Sequence, residues 1–321
     1  MSKIFVGVDI GGTKCAVTLS GEDALVMDKI RFDTIPFNPG ANIKRIIDCA
    51  KSLMDICRVE KLSAIGVSCG GPLDSKKGII LSPPNLPGWD EIEIISILEN
   101  EFSAPAFLQN DANACALAEW KFGAGRGCRN MIFLTFGTGM GAGLILNGAL
   151  YGGTSDLAGE AGHIRLADDG PVGYGKAGSF EGFCSGGGIT QIAYSEVLKR
   201  TQAGGTTMLG DMVSARSLTA EDVGKAALSG DEAAIAVLNK CGKWLGRGLS
   251  VLIDLLNPEC IVIGSIFARC HEFLWPAANE VLSKEALPYA YKCCKVVPAQ
   301  LGDEIGDIAA LSVAMDGFKR Q

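Results

Sequence analysis

Val8-Asp9-Ile10-Gly11-Gly12-Thr13 near the start of the chain and Leu134-Thr135-Phe136-Gly137-Thr138-Gly139 in its middle read as one event met twice. In each, an apolar strand runs into a glycine and threonine turn and a second strand follows, the mark of a duplicated supersecondary unit. Working outward from the first copy, residues 3–8, 14–20 and 26–33 carry Val, Ile, Phe and Thr with Gly or Asp between them, which predicts a meander of three short strands. Apolar positions at Ile43, Ile46, Ile47, Ala50, Leu53 and Met54 predict a helix over 41–57, and the run from Leu62 to Val67 predicts a buried strand. That strand-helix-strand crossover makes the sheet mixed α/β. Past a Pro-rich loop ending in Asn85-Leu86-Pro87-Gly88, the pattern predicts helix 91–102, strand 106–109 and helix 112–122, the last entered directly from Asp111. From the second copy come strands 131–136 and 142–146, a long helix 231–256, strand 260–264, a helix near 271–283, strand 295–299 and a final helix 304–316. The stretch 152–188, rich in glycine and poor in periodic apolar positions, predicts an ordered functional loop outside the core.

At 321 residues the chain exceeds what one hydrophobic core usually fills, so two lobes around a cleft are expected. Apolar residues make up 48% and charged residues 20%, which excludes a disordered class. A net charge of -7 and a pI near 5.0, with no Lys/Arg block, give no electrostatic footprint for DNA or RNA. The 12 cysteines are scattered through apolar runs in a long chain, the pattern of reduced thiols and not of a disulfide framework. The apolar run Ile4 to Val8 is broken at Asp9, too short for a signal-peptide core, and no stretch of about 18 apolar residues predicts a membrane span. A soluble, cytoplasmic protein is expected.

The first turn, Asp9-Ile10-Gly11-Gly12-Thr13-Lys14, offers backbone amides that can approach a phosphate, a hydroxyl, a cation and a carboxylate suited to hydrated Mg²⁺. It lacks the longer glycine loop of a Walker sequence, and an ordinary hairpin with a surface lysine accounts for it equally well. The second turn, Gly137-Thr138-Gly139-Met140-Gly141, favours the phosphate reading, because two such turns could cup a triphosphate from both sides of a cleft. Asp111 carries two readings. Asp is a favoured helix N-cap, and beside Asn110 it is also equipped to orient and deprotonate an attacking hydroxyl in phosphoryl transfer. Both are compatible with a carboxylate held at low pKa by a helix N-terminus. Glu160 and His163, in Gly159-Glu160-Ala161-Gly162-His163, and Glu181 are either packed loop residues or hydrogen-bonding partners for sugar hydroxyls.

Taken in order, Asp9 to Lys14, Asn110-Asp111-Ala112-Asn113, Gly137 to Gly141 and Gly159 to His163 resemble the ROK family of bacterial glucokinases, other hexose and N-acetylhexosamine kinases and sugar-responsive repressors. The resemblance covers nearly the whole chain. It implies the actin-like ATPase (ribonuclease H-like) α/β fold, with a small lobe of residues 1–117 plus 303–321, a large lobe of 118–302, and the last helix packed back on the first lobe. It implies ATP and Mg²⁺ as cofactors, with Asp9 holding the ion through water and Gly11, Gly12, Thr13 and Lys14 facing the phosphates. Gly137, Thr138 and Gly139 would form a second phosphate loop and Gly264 would approach adenosine. Asp111 would be the base, and Asn85, Asn110, Glu160, His163 and Glu181 would bind the sugar. A hexose is the implied small-molecule partner, with the 6-hydroxyl of glucose as default acceptor, and a homodimer is common in the family. The alternative is a sugar-binding sensor or regulator without catalysis. With Asp9 so near the start, no room is expected for a DNA-binding helix-turn-helix before the first turn.

One departure is chemical. Many family members follow the Gly-His with a cysteine-rich zinc motif, whereas residues 173–181 contain no cysteine and only Cys184 follows nearby. A structural zinc needs four N or S ligands, so none is expected, and Tyr174, Phe180 and Phe183 are the candidate anchors of the loop. Metal analysis of the purified chain is expected to find no stoichiometric zinc; one equivalent per chain would contradict this.

Overall fold

The computed structural model describes residues 3–321. β1 (Phe5–Ile10) is buried along almost its whole length, which is why it reads as an unbroken apolar run instead of an alternation. It pairs antiparallel with β2 (Lys14–Ser20), and β2 pairs antiparallel with β3 (Val26–Asp33). α1 (Pro39–Ile56), capped by the Asn38 side chain on the Ala41 N–H, crosses over to β4 (Ala64–Cys69), which lies parallel to β1 with Phe5 opposite Ala64. A small hairpin, β5 (Leu73–Asp74) and β6 (Ile79–Ile80), and α2 (Ile94–Phe102) follow. β7 (Ala106–Asn110) then adds parallel to β4 and passes straight into α3 (Asp111–Phe122).

The second half repeats this order. β8 (Met131–Leu134), β9 (Ala142–Leu146) and β10 (Ala149–Leu150) form a meander. An insertion follows: hairpin β11 (Val172–Gly173) and β12 (Lys176–Ala177), then α4 (Phe180–Phe183), α5 (Gly186–Gln202), α6 (Gly210–Ser214), α7 (Ala220–Leu228) and α8 (Glu232–Leu256). β13 (Cys260–Ile263) pairs parallel with β8; after α9 (Ile266–Arg269), α10 (His271–Glu285) and α11 (Pro288–Cys293), β14 (Lys295–Pro298) adds parallel to β13. α12 (Ile305–Arg320) closes the chain. The sheet orders, β3-β2-β1-β4-β7 and β10-β9-β8-β13-β14, correspond strand for strand, so the duplication expected from the two glycine turns holds in topology.

The helix that leaves each sheet packs on the other one. α3, launched from β7, lies on β8 and β9; α12, launched after β14, lies on β1 and β4; and the two helices touch. Glycines admit them. A Cβ on Gly66 would sit 2.1 Å from the Ala310 carbonyl oxygen, one on Gly7 2.8 Å from the Leu311 nitrogen, and one on Gly143 2.5 Å from the Ala112 carbonyl oxygen. A buried carboxylate ties the exchange together: Glu119 of α3 accepts from the N–H groups of Gln300 and Leu301, each at 2.9 Å, and from that of Ala124 at 2.7 Å. Three donors offset the cost of burying that charge. The duplicated order and exchanged helices are those of the actin-like ATPase fold.

Several expectations need correction. α3 starts at Asp111, and its cap is Asn110. The second half of the stretch 152–188 belongs to the core: Ser179, Phe180, Phe183 and Cys184 are buried, and Phe183 stacks on Trp244 with centroids 3.8 Å apart. Tyr174, expected as an anchor, is 77% exposed. α5 escaped the sequence reading because it opens on Gly186-Gly187-Gly188, a turn-like run that becomes helical once the Ser185 hydroxyl caps the Gly188 N–H at 3.0 Å.

Gly66→Ala is expected to cost roughly 1–3 kcal/mol by overpacking against α12. Gly210→Ala, with nothing within 4 Å of the added methyl, is expected to leave stability unchanged or slightly raised. Urea unfolding of both variants measures the difference, and a Gly66→Ala protein as stable as wild type would contradict the close approach.

Candidate active site

The β7–α3 junction has no loop. Asn110 is extended, and its Oδ1 accepts from the Asn113 N–H at 2.7 Å, so among the described residues its Nδ2 is left without a protein partner. Asp111 is therefore the first helical residue, and its Oδ1 accepts from the Ala112 N–H at 2.8 Å. The carboxylate is held by its own helix and remains exposed toward a cleft of about 790 Å³ between the lobes.

That cleft gathers most of the residues singled out above. Asn85, Asn110, Asp111, Gly137, Thr138, Gly139, Glu160, His163 and Glu181 all line it. The first glycine turn stands next to this set, since a Cβ on Gly12 would lie 2.5 Å from the Asn85 carbonyl oxygen. Gly11 donates to the Lys14 carbonyl at 3.0 Å, and Thr34 braces the turn by donating its hydroxyl to Gly11 O at 2.7 Å and its N–H to Thr13 O at 2.9 Å. The second turn is held by the Thr135 hydroxyl, which accepts from the Gly141 N–H at 2.8 Å. Glu181 accepts from the Met140 N–H at 2.9 Å, so one of its oxygens braces this turn and only the other is free for a ligand. Asp9, Gly11, Gly12, Thr13 and Lys14 do not line the cleft themselves, and neither does Gly264, which sits behind the second turn and donates to the Leu134 carbonyl at 3.0 Å.

Negative charge gathers behind the first glycine turn. Burial, then the charges of Asp307 and Asp111, push the Asp9 carboxyl up to about 7, against the opposing pull of Arg31 and Lys29. Asp307 comes from the first turn of α12 and is ion-paired with Lys29 of β3. A Cβ on Gly306 would lie 3.4 Å from Asp9 Oδ2, so α12 begins directly beside this carboxylate. This excess of negative charge fits a hydrated Mg²⁺, which would relieve it. Burial also raises Asp111, against the lowering effect of the Ala112 N–H. The low pKa expected from the helix N-terminus is thus outweighed by the protein packed beneath the carboxyl. Glu160, exposed at the cleft wall, is raised by the desolvation it does suffer and by Asp111, while His163 pulls it the other way.

His163 ends a short 3-10 turn and meets the Tyr174 ring edge-on at 6.3 Å. The residues around it do not fit zinc. Cys184 is buried in the core, where its thiol donates to the Cys241 carbonyl at 3.6 Å, and no group of three or more His, Cys, Asp or Glu among the described residues is arranged to hold a metal. Hydrogen bonds knit the loop instead. Lys176 Nζ donates to the His163 carbonyl at 2.7 Å, Arg165 to the Ala177 carbonyl at 2.9 Å, and the Gln191 amide grips the N–H and C=O of Val172, each at 2.9 Å. The sequence reading missed Lys29, Asp307, Ser75 and Asp156, whose roles come from partners distant in the chain.

Comparison with known proteins identifies the family. The family model described as "ROK family" matches residues 5–316. A glucokinase of Halalkalibacterium halodurans is 32% identical over 309 residues, covering 95% of this chain and 92% of that protein. The crystal structure of a ROK family glucokinase from Streptomyces griseus, in complex with glucose and AMPPNP, superposes with a TM-score of 0.76 at 28% identity, covering 97% and 99% of the two chains. The DNA-binding transcriptional repressor Mlc of Escherichia coli is 29% identical over 263 residues, covering 81% of this chain and 62% of the repressor.

A carboxyl whose pKa is raised on folding loses stability as pH rises from its unfolded value toward its folded one. Asp9→Asn is therefore expected to raise the melting temperature, by more at pH 8 than at pH 5, with a gain on the order of 1–3 kcal/mol once partial exposure is allowed for. Melting curves at the two pH values test this, and equal or lower stability of the variant at pH 8 would contradict it.

Proposed function

The chain belongs to the ROK family and is a sugar kinase, and we propose that it transfers the γ-phosphoryl group of MgATP to the 6-hydroxyl of a hexose, with glucose as default acceptor and Asp111 as base. The observation that carries this reading is one cleft in which a fixed, accessible carboxylate faces a glycine turn and a set of sugar-type polar side chains. The transition state of phosphoryl transfer is loose, so the protein's task is positioning and charge. Asp111 orients the acceptor hydroxyl and takes its proton as the new O–P bond forms, the bond to the bridging oxygen breaks and ADP departs. The free amide of Asn110, with Asn85, Glu160, His163 and the unengaged oxygen of Glu181, would bind the other hydroxyls. The amides of Gly11, Gly12 and Thr13, the Lys14 ammonium and the turn Gly137 to Gly139 would hold the phosphates, with Gly264 toward adenosine. Mg²⁺, held through water by Asp9, would neutralise phosphate charge.

The same reading divides the molecule into lobes 1–117 with 303–321 and 118–302. The division cuts α3 near its middle and falls just before α12. Family likeness further supports a homodimer. The match to the DNA-binding transcriptional repressor Mlc favours a second reading, a sugar-binding sensor or regulator without catalysis.

A coupled ADP-release assay over hexoses, aminosugars and β-glucosides separates the two. Turnover is expected, with Asp111→Asn lowering kcat by about 10²–10⁴. Because burial raises Asp111, the acid limb of the wild-type kcat/KM profile is expected above the ordinary aspartate value of about 3.9. No turnover on any sugar would favour the sensor, and undiminished turnover in the variant would remove Asp111 from the mechanism.

A further inference from the structure

Two segments 81 positions apart meet at the sugar side of the cleft. The Ser75 N–H donates to Asp156 Oδ2 at 2.7 Å and the Ser75 hydroxyl donates to Asp156 Oδ1 at 2.8 Å, so both oxygens of one carboxylate are engaged by one residue of the other lobe. Both partners are presented by rigid turns. The β5–β6 hairpin is fixed by Asp74, whose Oδ1 accepts from the N–H groups of Lys76 and Lys77 at 3.1 and 2.9 Å and whose carbonyl accepts from Gly78 at 2.8 Å. On the other side, residues 152–158 close on themselves through the Ala158 N–H and the Gly152 carbonyl at 3.1 Å. Asp156 stands at the tip with φ +57, a left-handed conformation that side chains rarely adopt, and its carboxylate lies so close over Gly152 that a Cβ there would be 3.0 Å from Oδ1.

The position of this clasp carries the inference. Asp156 lines the cleft with Pro72 and Leu73 beside the hairpin, and the chain runs from it within a few residues to Glu160 and His163. The segment is pinned again just beyond, where the Ala142 N–H donates to the Gly159 carbonyl at 2.7 Å and Gly162 packs on the Met140 carbonyl. One anchor is therefore internal to the second lobe and the other crosses the cleft. A hydrogen bond to a charged acceptor is about twice as strong as a neutral one, so a pair of such bonds can fix this wall against the hairpin.

We propose that Ser75 and Asp156 are positioning residues for the sugar: their clasp keeps the segment carrying Glu160 and His163 closed over the acceptor, so that it sets sugar affinity and leaves nucleotide affinity alone. This rests on the kinase reading of the cleft. The variants are Ser75→Ala, Asp156→Asn, Asp156→Ala and the double alanine variant, measured for KM of sugar and ATP, kcat, melting temperature and hydrogen–deuterium exchange of residues 152–163 without ligand. Asp156→Ala is expected to raise the sugar KM about tenfold and to speed exchange in 152–163, with the ATP KM within about twofold of wild type. Ser75→Ala and Asp156→Asn are expected to fall between, and the double variant to be no worse than Asp156→Ala alone. An unchanged sugar KM, or sugar and ATP KM rising together with a falling melting temperature, would overturn the proposal. A wild-type protein that turns over no sugar would sink the kinase reading, and exchange then decides the clasp: faster exchange in 152–163 supports it and unchanged exchange overturns it.

Discussion

The exchange of α3 and α12 between the two sheets is the constraint on which the rest depends. Each helix starts at the end of one duplicated unit and packs on the other, through glycines that let backbone meet backbone. The exchange brings chemistry as well as stability. Asp111 opens α3 and Asp307 lies in the first turn of α12, so both helix N-termini face the region between the lobes, each with a carboxylate in its first turn. A helix N-terminus carries partial positive charge and unpaired amides, which suit an anionic ligand there. Buried Glu119 links α3 to the approach of α12, so the placement of one helix constrains the other.

The region beside the first glycine turn is electrostatically costly in the free protein. Burial, Asp307 and Asp111 disfavour the charged form of Asp9, and Lys29 and Arg31 oppose this only in part. A divalent cation and a polyphosphate bound beside them would complete the balance, a common form of the trade between stability and activity. The loop after His163 follows a different logic. Its shape comes from Phe180 and Phe183 in the core and from Lys176, Arg165 and Gln191 donating to backbone carbonyls.

What was legible in the sequence was local. One glycine turn alone reads equally well as an ordinary hairpin, and it was the repetition of the turn after an apolar strand that made the duplication legible. The Asp111 junction was visible, yet its cap was misassigned, since Asn110 and Asp111 are equally good caps and only backbone geometry separates them. The direction of the Asp111 shift was missed because a helix-dipole argument sees the chain neighbours and not the protein packed beneath. Lys29 with Asp307, 278 positions apart, and Ser75 with Asp156 had no local signal at all. Tyr174 was misjudged because an aromatic in a glycine-rich loop reads as an anchor, whereas here it stands at the cleft mouth against His163.

The claim at the centre of this account is that the acceptor sugar and the phosphates meet at Asp111. A crystal structure of the protein with Mg²⁺, a non-hydrolysable ATP analogue and a hexose tests it most directly. The account predicts one sugar hydroxyl within about 3 Å of an Asp111 carboxylate oxygen, on the side facing the terminal phosphate. A sugar bound in the cleft with no hydroxyl in hydrogen-bond reach of Asp111 would contradict it.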